Sequence, residues 1–111
     1  MTPLSCSWTF VFPDTQQRQS FIGDTVHLQC REPKPSNSGV DWIYQRSPNT
    51  KARRIISGGH LTNGNRGGRL NISGSTLIIN NVKNHDSGTY TCVEDAGLGK
   101  NHYVNLTVQG K

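Results

Sequence analysis

Short runs of alternating apolar and polar side chains, separated by clusters of Gly, Pro, Ser and Asn, set the pattern of this chain. Val26, Leu28 and Cys30 alternate with His27 and Gln29 behind a Gly23-Asp24 turn, which is the period of a strand buried on one face. Residues 40–46 form a strand with Trp42 pointing inward and Ile43 and Gln45 outward, and the turn Ser47-Pro48-Asn49-Thr50 sends it back as residues 52–57. Arg69-Leu70-Asn71-Ile72 is a strand, Gly74-Ser75 a turn, and Leu77, Ile79 and Val82 are the inward set of the strand that follows and of its exit. Residues 89–94 are another strand, and 95–100, with two glycines, a short hairpin loop. Val104, Leu106 and Val108 then point inward, and Tyr103, Asn105 and Thr107 outward. Upstream, Trp8-Thr9-Phe10-Val11-Phe12 reads as an edge strand closed by Pro13-Asp14, and residues 16–20 as polar and irregular. Residues 32–39 make a loop, and residues 58–68, with five glycines in eleven positions, are expected to be flexible and exposed. The fold class is all-β.

The spacing around Asp86-Ser87-Gly88-Thr89-Tyr90-Thr91-Cys92 narrows the architecture. Cys30 and Cys92 enclose 61 residues, Trp42 follows the first cysteine by 12, and Tyr90 precedes the second by two. That constellation resembles the immunoglobulin-like Greek-key β-sandwich. The resemblance implies one inter-sheet disulfide, Cys30 to Cys92, with Trp42 packed on it and Tyr90 turning the corner into its strand. Arg69 and Asp86 are opposite charges where such domains tie the base of the sandwich together. The long middle leaves room for two added strands, as in the variable type; an intermediate type, with the second of them reduced inside the Gly-rich segment, is the alternative.

From Trp8 to Val108 the chain is similar to variable-set immunoglobulin superfamily domains, and Trp42-Ile43-Tyr44-Gln45 with Pro48 matches the W-x-x-Q-x-x-P of antigen-receptor variable domains. More narrowly, Ser38-Gly39-Val40-Asp41-Trp42-Ile43-Tyr44-Gln45, after Gly23-Asp24-Thr25-Val26-His27-Leu28-Gln29-Cys30, resembles the alpha chain of the T-cell co-receptor for MHC class I. That likeness implies a homodimer that grips an acidic loop of MHC class I.

At 111 residues the chain is one domain, expected at 8–109, with a flexible N-terminal segment at 1–7 and the start of a stalk or following domain at 110–111. A disulfide framework belongs to an oxidising compartment, so the expected place is extracellular: the ectodomain of a cell-surface protein, or a secreted one. The sequence holds neither a signal h-region nor 18 consecutive apolar residues, so a signal peptide or membrane anchor is expected outside it, and Met1 reads as an added start. Cys6 is left over; an intermolecular bridge, a partner outside this sequence and a free thiol all remain open.

Charge adds one asymmetry. Residues 31–69 carry eight of the twelve basic side chains against two acids, so one sheet is expected to be positive and to speed encounter with an acidic partner. Within it, Lys51-Ala52-Arg53-Arg54 is dense enough to contact heparan-type polyanions. Nucleic acid is not expected, because Trp42 should be buried and Tyr44 is the only other aromatic nearby. His27, His60, His85 and His102 are scattered without metal-ligand spacing and read as surface residues, and Gly64-Asn65-Arg66-Gly67-Gly68 lacks the Lys-Ser/Thr of a phosphate loop. No metal, no cofactor and no enzymatic activity are expected.

What remains is recognition: an immune cell-surface receptor domain that binds a protein ligand through its end loops, by the narrower resemblance MHC class I, with cell adhesion or polyanion binding as alternatives. The loop candidates are Lys34, Ser36, Asn37 and Ser38; Gly58, His60 and Asn63; and Asp95, Leu98 and Lys100. A homodimer is expected through Ile43, Gln45, Pro48, Val93 and Tyr103, which alternation places on one outer face as an exposed apolar patch. Asn71-Ile72-Ser73 and Asn105-Leu106-Thr107 are glycosylation acceptors, and a glycan on Asn105 would stand on that same face.

Overall fold

The computed structural model describes residues 15–30, 40–62, 66–94 and 101–110. Among them lie nine strands: β1 (Thr15–Phe21), β2 (Val26–Gln29), β3 (Asp41–Gln45), β4 (Arg53–Ser57), β5 (His60–Leu61), β6 (Leu70–Ser73), β7 (Thr76–Ile79), β8 (Gly88–Val93) and β9 (Asn101–Gln109). One sheet has the order β1-β9-β8-β3-β4-β5 and the other β2-β7-β6. Each neighbouring pair is antiparallel except β1 and β9, which run parallel from Thr15 opposite Tyr103 to Phe21 opposite Gln109.

Strand alternation builds the core. Val26 and Leu28 of β2 and Leu77 and Ile79 of β7 are buried from one layer, and Val104, Leu106 and Val108 of β9 are buried from the other, alongside Trp42, Tyr90 and Cys92 of the same sheet. Cys30 and Cys92 are joined across the layers with their Cα atoms 5.4 Å apart. Closing a loop with a sequence separation of 62 restricts the unfolded chain by about 4 kcal/mol on the chain-entropy estimate. Trp42 has no exposed surface, and its indole N–H donates to the Ser75 carbonyl at 3.4 Å, giving its polar edge a partner on the other sheet.

Gly88 shows why the corner motif carries glycine. Its φ is +149°, and a Cβ there would lie 2.7 Å from both the Gln45 carbonyl oxygen and Tyr44 Cε1. Only a residue without a side chain lets β8 approach β3 this closely.

Three expectations change. Residues 16–20 are not irregular: they lie within β1, whose polar exposed residues belong to an edge strand that pairs through its backbone with β9, so side-chain hydrophobicity carries no signal of it. The Gly-rich segment begins as a tight turn at Gly58 and Gly59, with Gly59 buried, and continues into β5 on the edge of β4. His102 is buried at 6% exposure, because the alternation that turns Val104 and Leu106 inward also reaches His102, opposite Cys92. The expectations for Cys6 and the Trp8 to Phe12 strand lie outside the described residues.

Candidate functional site

The strand directions bring different groups together at the two ends of the sandwich. At the end where β3 leaves and β8 enters, Asp86 lies in a single 3-10 turn, Asn84–Asp86, with no exposed surface. Its carboxylate accepts from Arg69 Nη1 at 2.6 Å and Nη2 at 3.2 Å, from Arg66 Nη1 at 2.9 Å and from the Lys83 backbone N–H at 2.8 Å. Tyr90 donates its hydroxyl to the Asp86 carbonyl at 2.6 Å and accepts from Arg66 at 2.8 Å. Arg66 also lies 4.5 Å from the centroid of the Tyr44 ring and 5.6 Å from that of Tyr90. Tyr44 donates its hydroxyl to the Ser87 carbonyl at 2.7 Å.

Burial pushes the Asp86 carboxyl upward, but the hydrogen bonds from Arg69 and Lys83 and the charges of Arg66 and Arg69 outweigh it and hold the group below the usual carboxylate range. Its hydrogen bond raises Arg69 in turn. Tyr90 and Tyr44 are both pushed up by burial. The Asp86 carboxylate and the Tyr90 hydroxyl are thus both committed to partners within the domain. Arg66 is the member that sequence reasoning missed: it sits at φ +57° in the turn before Gly67, inside a segment read only for its glycines.

The opposite end gathers the stems of three loops. Asp41 opens β3 opposite Val93, the last residue of β8, and Val93 in turn faces Asn101 at the start of β9. The Asp41 carboxylate accepts from Gly58 N–H at 2.7 Å and pairs with Arg54 Nε at 3.0 Å, while Gly59 N–H donates to the Val40 carbonyl at 2.9 Å. Residues 31–39, the turn at Gly58 and residues 95–100 therefore spring from adjacent points, with His60 and Leu61 exposed beside them. Lys34, Ser36, Asn37, Ser38, Asn63, Asp95, Leu98 and Lys100 lie outside the described residues.

Glu94 and His102 meet at 2.9 Å below these stems. With Cys30 their ligand atoms lie within 4.8 Å of one another, but the Cys30 sulfur is bonded to Cys92 and offers no thiolate to a metal.

The outer face of the larger sheet differs from the exposed patch expected. Val93 is buried at 7% exposure, and Ile43, Gln45 and Tyr103 are half-buried, leaving Pro48 fully accessible. Gln45 Nε2 donates to the Thr50 carbonyl at 2.8 Å, so its amide closes the β3–β4 turn of its own chain. Asn105 is half-buried and accepts from Thr89 Oγ1 at 2.8 Å, whereas Asn71 is exposed on β6 in the other sheet.

The profile of the immunoglobulin domain family matches residues 9–95. The chain is 34% identical over 91 residues to mouse "leucine-rich repeat and immunoglobulin-like domain-containing nogo receptor-interacting protein 3", a match that covers 78% of this chain and 13% of that protein. Among solved structures, the extracellular domain of the voltage-gated sodium channel beta4 subunit superposes with a TM-score of 0.66 at 16% identity, covering 95% of this chain and 99% of that one. The first immunoglobulin domain of the mouse polymeric immunoglobulin receptor gives 0.63 at 20% identity, covering 86% and 91%. The four N-terminal immunoglobulin domains of Dscam1 isoform 6.9 give 0.63 at 21%, covering 99% of this chain and 27% of theirs. With the disulfide, the buried tryptophan and the two-layer strand order in place, the chain belongs to the immunoglobulin domain family.

Proposed function

We propose that this is an extracellular recognition domain of a cell-surface protein that binds a protein ligand through the loops at the Asp41 end. The observation that carries it is that three loop stems adjoin: the Asp41 carboxylate holds the Gly58 turn and Arg54, and Asp41 itself lies opposite Val93, which in turn faces Asn101. A rigid base under variable loops is how a sandwich presents a binding surface, because the loops are free to differ while the strands hold them in place. At the opposite end the corresponding carboxylate, Asp86, is fully covered and held by Arg66 and Arg69, so it anchors the base of the sandwich rather than loop stems. The subtype we assign is variable: β4 and β5 extend the sheet beyond β3, and β1 pairs with β9. The proposal extends to cell adhesion, for which the sodium channel beta4 relative is described as forming parallel homodimers with a role in cell-cell adhesion. The finer MHC class I proposal rests on the sequence likeness of residues 23–30 and 38–45 alone.

The test is to replace residues 34–38 and 95–100 separately with Gly-Ser linkers and measure binding of the purified domain to a panel of cells. Loss of binding with an unchanged melting temperature supports the loops as the binding surface. Retained binding in both variants overturns it.

A further inference from the structure

The β3–β4 hairpin and the turn at residues 66–69 enclose a cleft of about 700 Å³. Among the described residues its lining includes Arg46, Lys51, Arg53, Arg54, Arg66 and His85, and no carboxylate. The register explains the crowding. Tyr44 faces Arg53 and Ile43 faces Arg54, but Trp42 faces Ile56, so Ile55 is an extra residue in β4. The bulge lets Ile55 and Ile56 both bury and leaves consecutive arginines exposed below them. Arg54 is paired with Asp41, and Arg66 with Asp86. Arg46, Lys51 and Arg53 are exposed and have no carboxylate partner among the described residues.

A concave surface of one sign focuses the field and draws an anion. Its volume is that of a site for several linked groups rather than for one inorganic ion. The aromatic residue of the cleft, Tyr44, has Arg66 stacked on its ring and its hydroxyl donated to Ser87, so it offers no open platform for a nucleobase. Guanidinium groups match the paired oxygens of sulfate and carboxylate. We propose that this cleft binds a sulfated, uronate-bearing glycan chain, independently of the protein ligand proposed for the loops.

The test uses the whole chain and a heparin octasaccharide, titrated calorimetrically at two salt concentrations. The variant K51Q/R53Q removes two exposed cations from the cleft, and R18Q/K83Q removes two exposed cations that do not line it. Binding by K51Q/R53Q should be about tenfold weaker, with the salt dependence reduced by about two ionic contacts, while R18Q/K83Q stays within about twofold of the parent. In the parent protein, the side-chain N–H resonances of Arg46 and Arg53 should shift on titration, and desulfated heparin should lose most of the affinity. Equal weakening by both pairs would mean a plain net-charge effect and overturn the site. So would an absence of binding, unmoved arginine resonances, or single-stranded DNA of the same length binding as tightly as the octasaccharide.

Discussion

Each end of the sandwich is built around a buried aspartate, and the two are held differently. Asp86 is enclosed by two arginines that are themselves largely covered, at 15% and 14% side-chain exposure, and by a backbone N–H. Asp41 has one arginine, 53% exposed, and a backbone N–H from a glycine turn. In the first case, every hydrogen bond is made inside low-dielectric surroundings, where it is strong and where leaving it unmade is costly. In the second, water can replace the arginine. One end is therefore built for rigidity, and the other fixes loop stems while leaving the loops themselves open to change.

The largest effect should come from breaking the closed end. Asp86→Ala leaves two covered guanidiniums without their carboxylate, and removing one partner of a buried ion pair costs about 3–5 kcal/mol, comparable to the whole stability of a small domain. Urea denaturation of the purified domain should show little or no folded baseline. The same group predicts acid sensitivity. Its folded value is depressed, so the stability it contributes is fully present above the unfolded carboxyl value near ~3.9 and is lost as pH falls through the lower folded value. In Asp86→Asn, if it folds, the decline in denaturation midpoint below that pH should be shallower. An identical pH profile in the two proteins would remove Asp86 as the controlling group.

Next in size is Gly88→Ala, which pushes a methyl group to 2.7 Å from the Gln45 carbonyl and the Tyr44 ring at a φ that L residues rarely adopt. Overpacking of this kind costs about 1–3 kcal/mol. The expected result is a lower urea midpoint with an unchanged slope. Gly110→Ala, where nothing lies within 4 Å, should be neutral and serves as its control.

The core motif and the Arg69–Asp86 pair were legible in the sequence; the return of Arg66, strand β1 and the cover over the outer face were not. Cys30, Trp42, Tyr90 and Cys92 are marked by spacing, because a disulfide and its packed tryptophan tolerate little change in strand length. The Arg69 and Asp86 pair is marked by opposite charge beside that motif. Arg66 was hidden because its role depends on a positive-φ turn that brings it back over Tyr44, and nothing local in Arg66-Gly67-Gly68 encodes the direction of that return. β1 was hidden because an edge strand that pairs through its backbone needs no apolar period. The cover over Val93 and the inward turn of Gln45 toward Thr50 likewise depend on packing, which alternation alone does not report.

The smallest effect separates the two ends most directly, because it makes the same change in both. Arg69→Gln and Arg54→Gln each delete one guanidinium from a buried aspartate. Arg69 is largely covered and bonds to both Asp86 oxygens and to the Asn81 carbonyl, so its loss strands buried acceptors at a cost of about 1–3 kcal/mol. Arg54 is half in water, and an exposed ion pair contributes at most about 1 kcal/mol. Asp41 keeps its bond to Gly58 N–H, and solvent can reach the oxygen that Arg54 leaves. The measurement is the difference in urea midpoint between the two variants at neutral pH, repeated at high salt, where the Arg54 contribution should shrink further and the Arg69 contribution should not. If the two substitutions cost the same at both salt concentrations, burial does not distinguish the ends, and the contrast between a locked base and an open loop end fails.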